Sequence, residues 1–438
     1  MAEPLQARLM GQGLRLLNRL AGASILDNAR TRHGLARALF GASRAGFAAA
    51  GIANRPFKAI QRLGKAARPT LRGAGDLFDL TPDPDQKMLV EAVQRFAAEE
   101  LRPNSPHAES VQGLSKQLRS TANDLGLCAL AVPEALGGVA ADTATSTQVL
   151  IAEALAHGDM GQAVALMSTP AVATALVRYG NAEQQASYLP ALVAEQPPHA
   201  AIAIHEDQTL FDLRHQQASA SRSGDGFRLN ADKALVINPG EAELFLVSAR
   251  LDDRPAMFIV ESGVDGLSWE PQPAMGLRAA SFGRLRLNQV QLPSTALLAE
   301  SALPLDDLIA RSRLAWCALA AGTAQAVLEY VIPYCNEREA FGEPISHRQA
   351  VAFMISDIAI ELEGLRLATR RAAARADQGL PFAHEAQLAH QLCQQHARMI
   401  GAHGVQLLGG HGFVKEHPVE RWYRDLLAVS ALSHGLLV

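Results

Sequence analysis

Two segments of the 438-residue sequence hold residue types that could meet a ligand, an arginine and a pair of glycines. Arg338, within Arg338-Glu339-Ala340-Phe341-Gly342, offers a planar fork of donors that suits phosphate oxygens. Gly409-Gly410, within Gln406-Leu407-Leu408-Gly409-Gly410-His411-Gly412-Phe413, lets backbone N–H groups approach a ligand closely. A surface ion pair and a plain helix terminator would use the same residue types. His403, His411 and His417 surround the glycine turn without sharing one helical face, so no metal site is expected there. No Gly-x-Ser-x-Gly elbow or P-loop is present. Gly409-Gly410-x-Gly412 follows helical rather than strand periodicity, which argues against a βαβ dinucleotide fingerprint.

The elements that must position these groups change character along the chain. Residues 1–75 hold thirteen basic and two acidic residues, net +11 against −4 for the whole, so a basic arm is joined to an acidic body. Leu9, Leu16, Leu20, Leu35 and Leu39 recur in the arm at helical spacing among arginines. Such a helix suits an anionic membrane surface as well as it suits packing on the body or on a partner subunit. The stretch 66–75 reads as a linker. From Asp83 the pattern is helical: Leu89, Val93 and Phe96 form a stripe ended by Arg102-Pro103, and further helices fit 112–126, 143–157 and 160–178. Short apolar runs at 201–204, 227–229, 244–247, 257–260 and 285–287 predict antiparallel β structure. After Leu303 helices resume, with Val351, Met354, Ile358, Leu362 and Leu365 striping one of them. Cys128, Cys317, Cys335 and Cys393 are scattered without a CxxC pair, which fits a reducing compartment. No run reaches the ~18 uninterrupted apolar residues of a membrane span, and no secretory signal is apparent. The chain is expected to be cytoplasmic and, if the arm binds lipid, peripheral to a membrane. A basic arm with few aromatics does not suggest nucleic acid.

Several motifs in fixed order resemble the acyl-CoA dehydrogenase family across residues 83–425. They are Phe96-Ala97-Ala98-Glu99-Glu100…Pro103, Pro133-Glu134…Gly137-Gly138, Gly180-Asn181-Ala182-Glu183-Gln184…Tyr188-Leu189-Pro190 and Met275-Gly276-Leu277-Arg278. To these add the Arg338 and Gly409 segments, His347-Arg348-Gln349, Pro418-Val419-Glu420 and Tyr423-Arg424-Asp425. The resemblance implies a multi-domain α+β fold: an arm over 1–75, a helical N-terminal domain over 76–198, a central β-barrel-like domain over 199–302 and a C-terminal four-helix bundle over 303–438. It implies FAD as cofactor and α,β-dehydrogenation of an acyl-CoA thioester, with an electron-transfer flavoprotein or similar acceptor. It also implies a dimer or tetramer in which Arg338, Phe341, Gln349, Gln406, Gly409 and Gly410 reach the flavin of a neighbouring subunit. Arg313 is placed at the substrate.

The same resemblance exposes departures. Where the family has a Thr-Glu-Pro-Gly-Ala-Gly-Ser-Asp loop, this chain has His205-Glu206-Asp207-Gln208-Thr209-Leu210-Phe211-Asp212, keeping only Glu206 and Asp212. Leu235 replaces the indole that covers the flavin, and Ile237 replaces a hydroxyl that bonds it. The two family positions for the catalytic carboxylate correspond to Ser433 and Ser312. A serine hydroxyl cannot rest as an anion near neutrality. His434 is the remaining candidate acceptor by intrinsic pKa, although histidines so placed are commonly solvated bystanders. Three functions fit: an acyl-CoA dehydrogenase with altered cradle chemistry, a non-catalytic subunit completing the flavin site of a paralogue, or an acyl-CoA or lipid-binding scaffold.

Overall fold

Asp83 starts the first helix. Its carboxylate accepts from the Gln86 N–H at 2.8 Å while the Gln86 side chain accepts from the Asp83 N–H, a reciprocal cap. The computed structural model describes residues 79–140, 144–208, 210–299 and 303–438. The basic arm and linker, with the membrane contact expected of them, lie outside the described residues.

Helix α1 (Pro84–Phe96) does not end at Arg102-Pro103 as the sequence suggests. A π-helical stretch, Ala97–Leu101, carries it into α2 (Arg102–Val111), with the Arg102 N–H reaching back to Ala97. Proline in a first turn forfeits no hydrogen bond, and the wider π turn gives its ring room. The other expected helices form as α3 (Lys116–Asp124), α4 (Thr145–Gly158) and α5 (Met160–Tyr179), followed by α6 (Ala182–Leu192). Asp159 caps α5 by accepting from Gln162 N at 2.9 Å.

The strands are β1 (His199–Ala203), β2 (Ser219–Ser223), β3 (Gly226–Ile237), β4 (Ala242–Leu251), β5 (Arg254–Glu261), β6 (Leu267–Pro271), β7 (Phe282–Leu292) and β8 (Leu297–Leu298). Their path is β6-β7-β3-β2-β4-β5-β8, with β1 branching onto β4. The expected antiparallel pairing holds for β3 with β7 and β4 with β5, but β1 and β2 each meet β4 in parallel. β1 arrives from the helical domain rather than through a hairpin, and such a crossover permits parallel neighbours. Phe227 and Phe258 stack edge to face at 5.3 Å in a core that belongs to the sheet alone.

Helix α7 (Leu305–Glu337) then leads through a small hairpin, β9 (Glu339–Ala340) and β10 (Glu343–Pro344), to α8 (Gln349–Asp377) and α9 (Ala383–Leu408), and α10 (Val419–Ala428) completes the bundle. Gly322 of α7 lies against α4 so closely that a Cβ there would stand 2.0 Å from the Glu153 carbonyl oxygen. Alanine-rich faces permit the same intimacy elsewhere, and α5 and α7, apolar enough to cross a bilayer by composition, are instead core helices buried in the unit. Helices, sheet and bundle thus follow in the expected α+β order.

Candidate functional site

The groups singled out in the sequence assemble at two places, an outer corner and an inner one. At the outer corner α7 and α9 end side by side: the Tyr334 hydroxyl reaches the Leu408 carbonyl at 3.5 Å and His411 Nδ1 at 2.8 Å. Arg338 caps α7 one turn beyond Tyr334, exposed, with no side-chain partner among the described residues. Gly409 takes φ 58° and ψ −131°, a conformation that side chains resist. Neither Gly409 nor Gly410 has an atom within 4 Å of where a Cβ would stand, so their backbone faces open space. Gln406 and Gln349 are exposed nearby on the end of α9 and the start of α8, and Phe341 is 97% exposed at the hairpin tip. His417 stacks on His411 at 5.3 Å, each ring held by a tyrosine hydroxyl of α7. The Arg348 guanidinium lies over the Phe341 ring at 5.7 Å. Cation, exposed glycine turn and exposed aromatic surface are available to a ligand or partner this chain does not itself contain.

The inner corner is closed. His205, Phe211 and His434 form a triad of rings with centroids 5.2, 5.6 and 6.0 Å apart. Leu235 occupies a left-handed backbone position, φ 55°, at a bulge of β3, with its N–H given to Gln272 at 2.8 Å, and Ile237 is buried. Neither base position is free. The Ser312 hydroxyl donates to the Leu436 carbonyl at 2.5 Å, and Ser433 bonds His434 Nδ1 at 2.9 Å. His434 is no solvated bystander: it is 6% exposed, and the Trp316 indole donates to its carbonyl at 3.1 Å. Burial above all, then the neighbouring His205, Arg313 and His390, hold its pKa well below the ordinary 6.5. A ring so disposed is a weak proton acceptor. Arg313 stands beside this corner, half-buried, its Nε unpartnered. Cavities of about 500 and 600 Å³ exist, but they share no lining residue with the ring triad.

The motif residues that survive have structural occupations. Glu206 takes the Lys233 ammonium at 2.8 Å and the N–H groups of Gln217 and Ala218 at 2.6 and 2.9 Å, while Lys233, wholly buried, also reaches Ile204, Gln216 and Ser248. Burial lowers the Lys233 pKa to about 8 even with this carboxylate beside it. Asp212 caps a short turn through Arg214 N. Arg424 and Asp425 clamp the Met275-Gly276-Leu277 segment of the β domain: Arg424 donates to the Met275 carbonyl at 2.6 Å, and Asp425 accepts from Leu277 N at 2.6 Å. Gly276 is required there, since a Cβ would meet the Arg424 carbonyl at 2.3 Å. Burial, with Asp159 close by, pushes the Asp425 carboxyl up to about 7.

Sequence reasoning did not single out Arg311, Trp316 or His390, which prove central to the inner corner. Their only sequence signal is a polar or indole group on an otherwise apolar helical face. A further surface has the character of an interface: Phe353, Ile360 and Leu367 of α8, seven residues apart, are 58, 65 and 49% exposed, and Leu388 and Leu392 of α9 are exposed as well.

Comparison with known proteins finds three family profiles along the chain: acyl-CoA dehydrogenase N-terminal domain at residues 83–196, middle domain at 201–290 and C-terminal domain at 306–433. The Bacillus subtilis protein named "Probable acyl-CoA dehydrogenase YngJ" is 30% identical over 80% of this chain and 93% of its own length. The mitochondrial short/branched chain specific acyl-CoA dehydrogenase of Rattus norvegicus is 31% identical over 77% and 80%. Among solved structures, butyryl-CoA dehydrogenase from Megasphaera elsdenii superposes with a TM-score of 0.75 at 25% identity, covering 82% of this chain and 96% of that one. An FAD complex of PigA gives 0.76 at 25% identity, with the same coverage.

Proposed function

The chain belongs to the acyl-CoA dehydrogenase family, and from that premise we propose that it serves FAD-dependent acyl-CoA dehydrogenation as a partner subunit, gripping the nucleotide tail of a flavin whose ring is held by a catalytically complete paralogue. The observation that carries this reading is the contrast between the corners. The Arg338 side chain has no partner among the described residues and the Gly409-Gly410 turn is exposed, while His205, Phe211 and His434 fill the inner corner and no carboxylate stands at either base position.

The fit to FAD divides in the same way. FAD supplies a hydride acceptor in its ring and a pyrophosphate in its tail. An arginine fork, an exposed glycine turn and the side-chain amides of Gln349 and Gln406 suit the pyrophosphate. The inner corner does not suit the ring: three side-chain rings stand in it, Leu235 and Ile237 bring no polar side chain, and the nearest titratable group is held neutral by burial. The exposed apolar stripe on α8 and α9 suits assembly with another subunit of the same fold. In such a mixed oligomer acyl-CoA and an electron-transfer flavoprotein or similar acceptor would be used at the paralogue's site.

A self-sufficient dehydrogenase is the second reading, favoured by the match of all three family domains in order. It requires His434 to serve as proton acceptor and the ring triad to part. Visible absorbance separates the two. The chain purified alone is expected to be colourless, and flavin colour is expected only after co-expression with a paralogous chain. Flavin bound to the lone chain and bleached by an acyl-CoA would overturn the partner reading in favour of the second. A colourless mixed complex would remove both.

A further inference from the structure

We infer that the inner corner is a peptide groove whose resident ligand is the chain's own segment Leu432–Val438, a plug that bars the corner to an acyl chain. The inference deepens the partner-subunit reading, since it names what the unused site has become.

Past α10 the backbone turns at Ser430 and Ala431 and runs on without regular structure, yet it is buried: Leu432, Leu436, Leu437 and Val438 are 4, 0, 3 and 1% exposed. Every second carbonyl along it accepts from a side chain. Leu432 accepts from His390, His434 from both Trp316 at 3.1 Å and His205, Leu436 from Ser312 at 2.5 Å, and Val438 from Arg311 at 3.2 Å. All five donors are more than nine-tenths buried. They come from three separate elements: α7, α9 and the loop that follows β1.

Buried carbonyls must be satisfied in any core, most often by the N–H groups of regular structure; here side chains of three elements serve alternate carbonyls of an irregular segment, which core packing in general does not specify. A groove that recognises extended peptide does require it: backbone hydrogen bonds fix the strand, and side chains fill the pockets between. The donors are themselves fixed beforehand. Arg311 is held by Asp307 at 2.8 Å, by Thr145 at 2.7 Å and by the Phe382 ring face at 5.2 Å. Gly435 makes the one sharp bend with φ 92°, passing the Ile202 carbonyl at the end of β1. Of the positions the family resemblance gives to the proton acceptor, Ser312 is thereby committed to the plug, and Ser433, within the plug, bonds the adjacent His434 ring.

The test deletes Leu436–Val438 from the otherwise unaltered 438-residue chain and titrates both forms with cis-parinaric acid, a fluorescent fatty acid. The intact chain is expected to bind it at least tenfold more weakly than the shortened one. The synthetic peptide Ser-His-Gly-Leu-Leu-Val should displace the probe from the shortened chain. Equal binding by both forms, or a peptide that displaces nothing, overturns the inference. Should the shortened chain fail to fold, Ser312→Ala and Trp316→Phe in the intact chain provide the second reading by hydrogen exchange. Amides of residues 434–438 should then exchange at least tenfold faster while α7 keeps its protection; unchanged exchange at 434–438 overturns the inference. These outcomes are independent of flavin colour in a co-expressed complex, so the plug and the partner-subunit reading can fail separately.

Discussion

The outer and inner corners are built from the same helices, α7 and α9, yet they treat their polar groups in opposite ways. At the outer corner the Arg338 side chain is left without a partner among the described residues, the Gly409-Gly410 turn is exposed, and Phe341 stands almost wholly in solvent. At the inner corner Arg311, Ser312 and Trp316 of α7 are committed to protein backbone or side chains, and the rings lie against one another. Unsatisfied polar groups are tolerable where water reaches them and costly where it does not. The exposed corner can therefore leave polar groups to water, while the buried corner has to satisfy its own.

The sharpest way to break this contrast is to truncate one aromatic at each corner. Trp316→Ala removes a fully buried indole and its hydrogen bond and should cost about 3–5 kcal/mol, while Phe341→Ala should stay within about 0.5 kcal/mol. Thermal denaturation of the two variants checks this, and similar melting temperatures would erase the distinction. Acidification comes next. Burial holds His205 and His390 near 4, below the ~6.5 of an unfolded histidine, with Lys233 acting in the same sense on the first and Arg313 on the second. As pH falls from about 6.5 to 4 the unfolded chain takes up protons before the folded one, so stability present at neutral pH is lost through that window, on the order of 3 kcal/mol per ring. His390→Gln should flatten the pH dependence of the melting temperature; a profile identical to the parent's would contradict it. The smallest expected effect is at the outer corner. Arg338→Ala in the co-expressed complex removes a charge-assisted phosphate contact of about 2 kcal/mol, and should weaken flavin retention by roughly 30-fold without moving the melting temperature of this chain alone. Equilibrium dialysis of FAD against the complex measures it.

Much of this was legible in the sequence. Helical and alternating periodicities placed the domains, and the motif order placed Arg338, Gly409 and the altered His205–Asp212 loop. The departures from the family resemblance at Leu235, Ile237, Ser312 and Ser433 pointed to the inner corner as the place to look. What replaced its chemistry was not legible. The plug segment has no periodicity, and its carbonyl ladder depends on Arg311, Ser312, Trp316 and His390, which are distant in sequence from what they bind. His434 looked solvent-exposed because its burial comes from long-range contacts. The parallel pairing of β1 and the passage of helix through Arg102-Pro103 likewise depend on tertiary context rather than local propensity.

The Glu206–Lys233 pair has a consequence for reading relatives of this chain. The carboxylate is bound to a wholly buried ammonium and to two backbone amides, so its loss would strand a cation inside the sheet domain. Selection for folding alone would preserve it. A glutamate retained at this place therefore testifies to the integrity of a barrel wall, and a gene that keeps it has not thereby kept an enzyme.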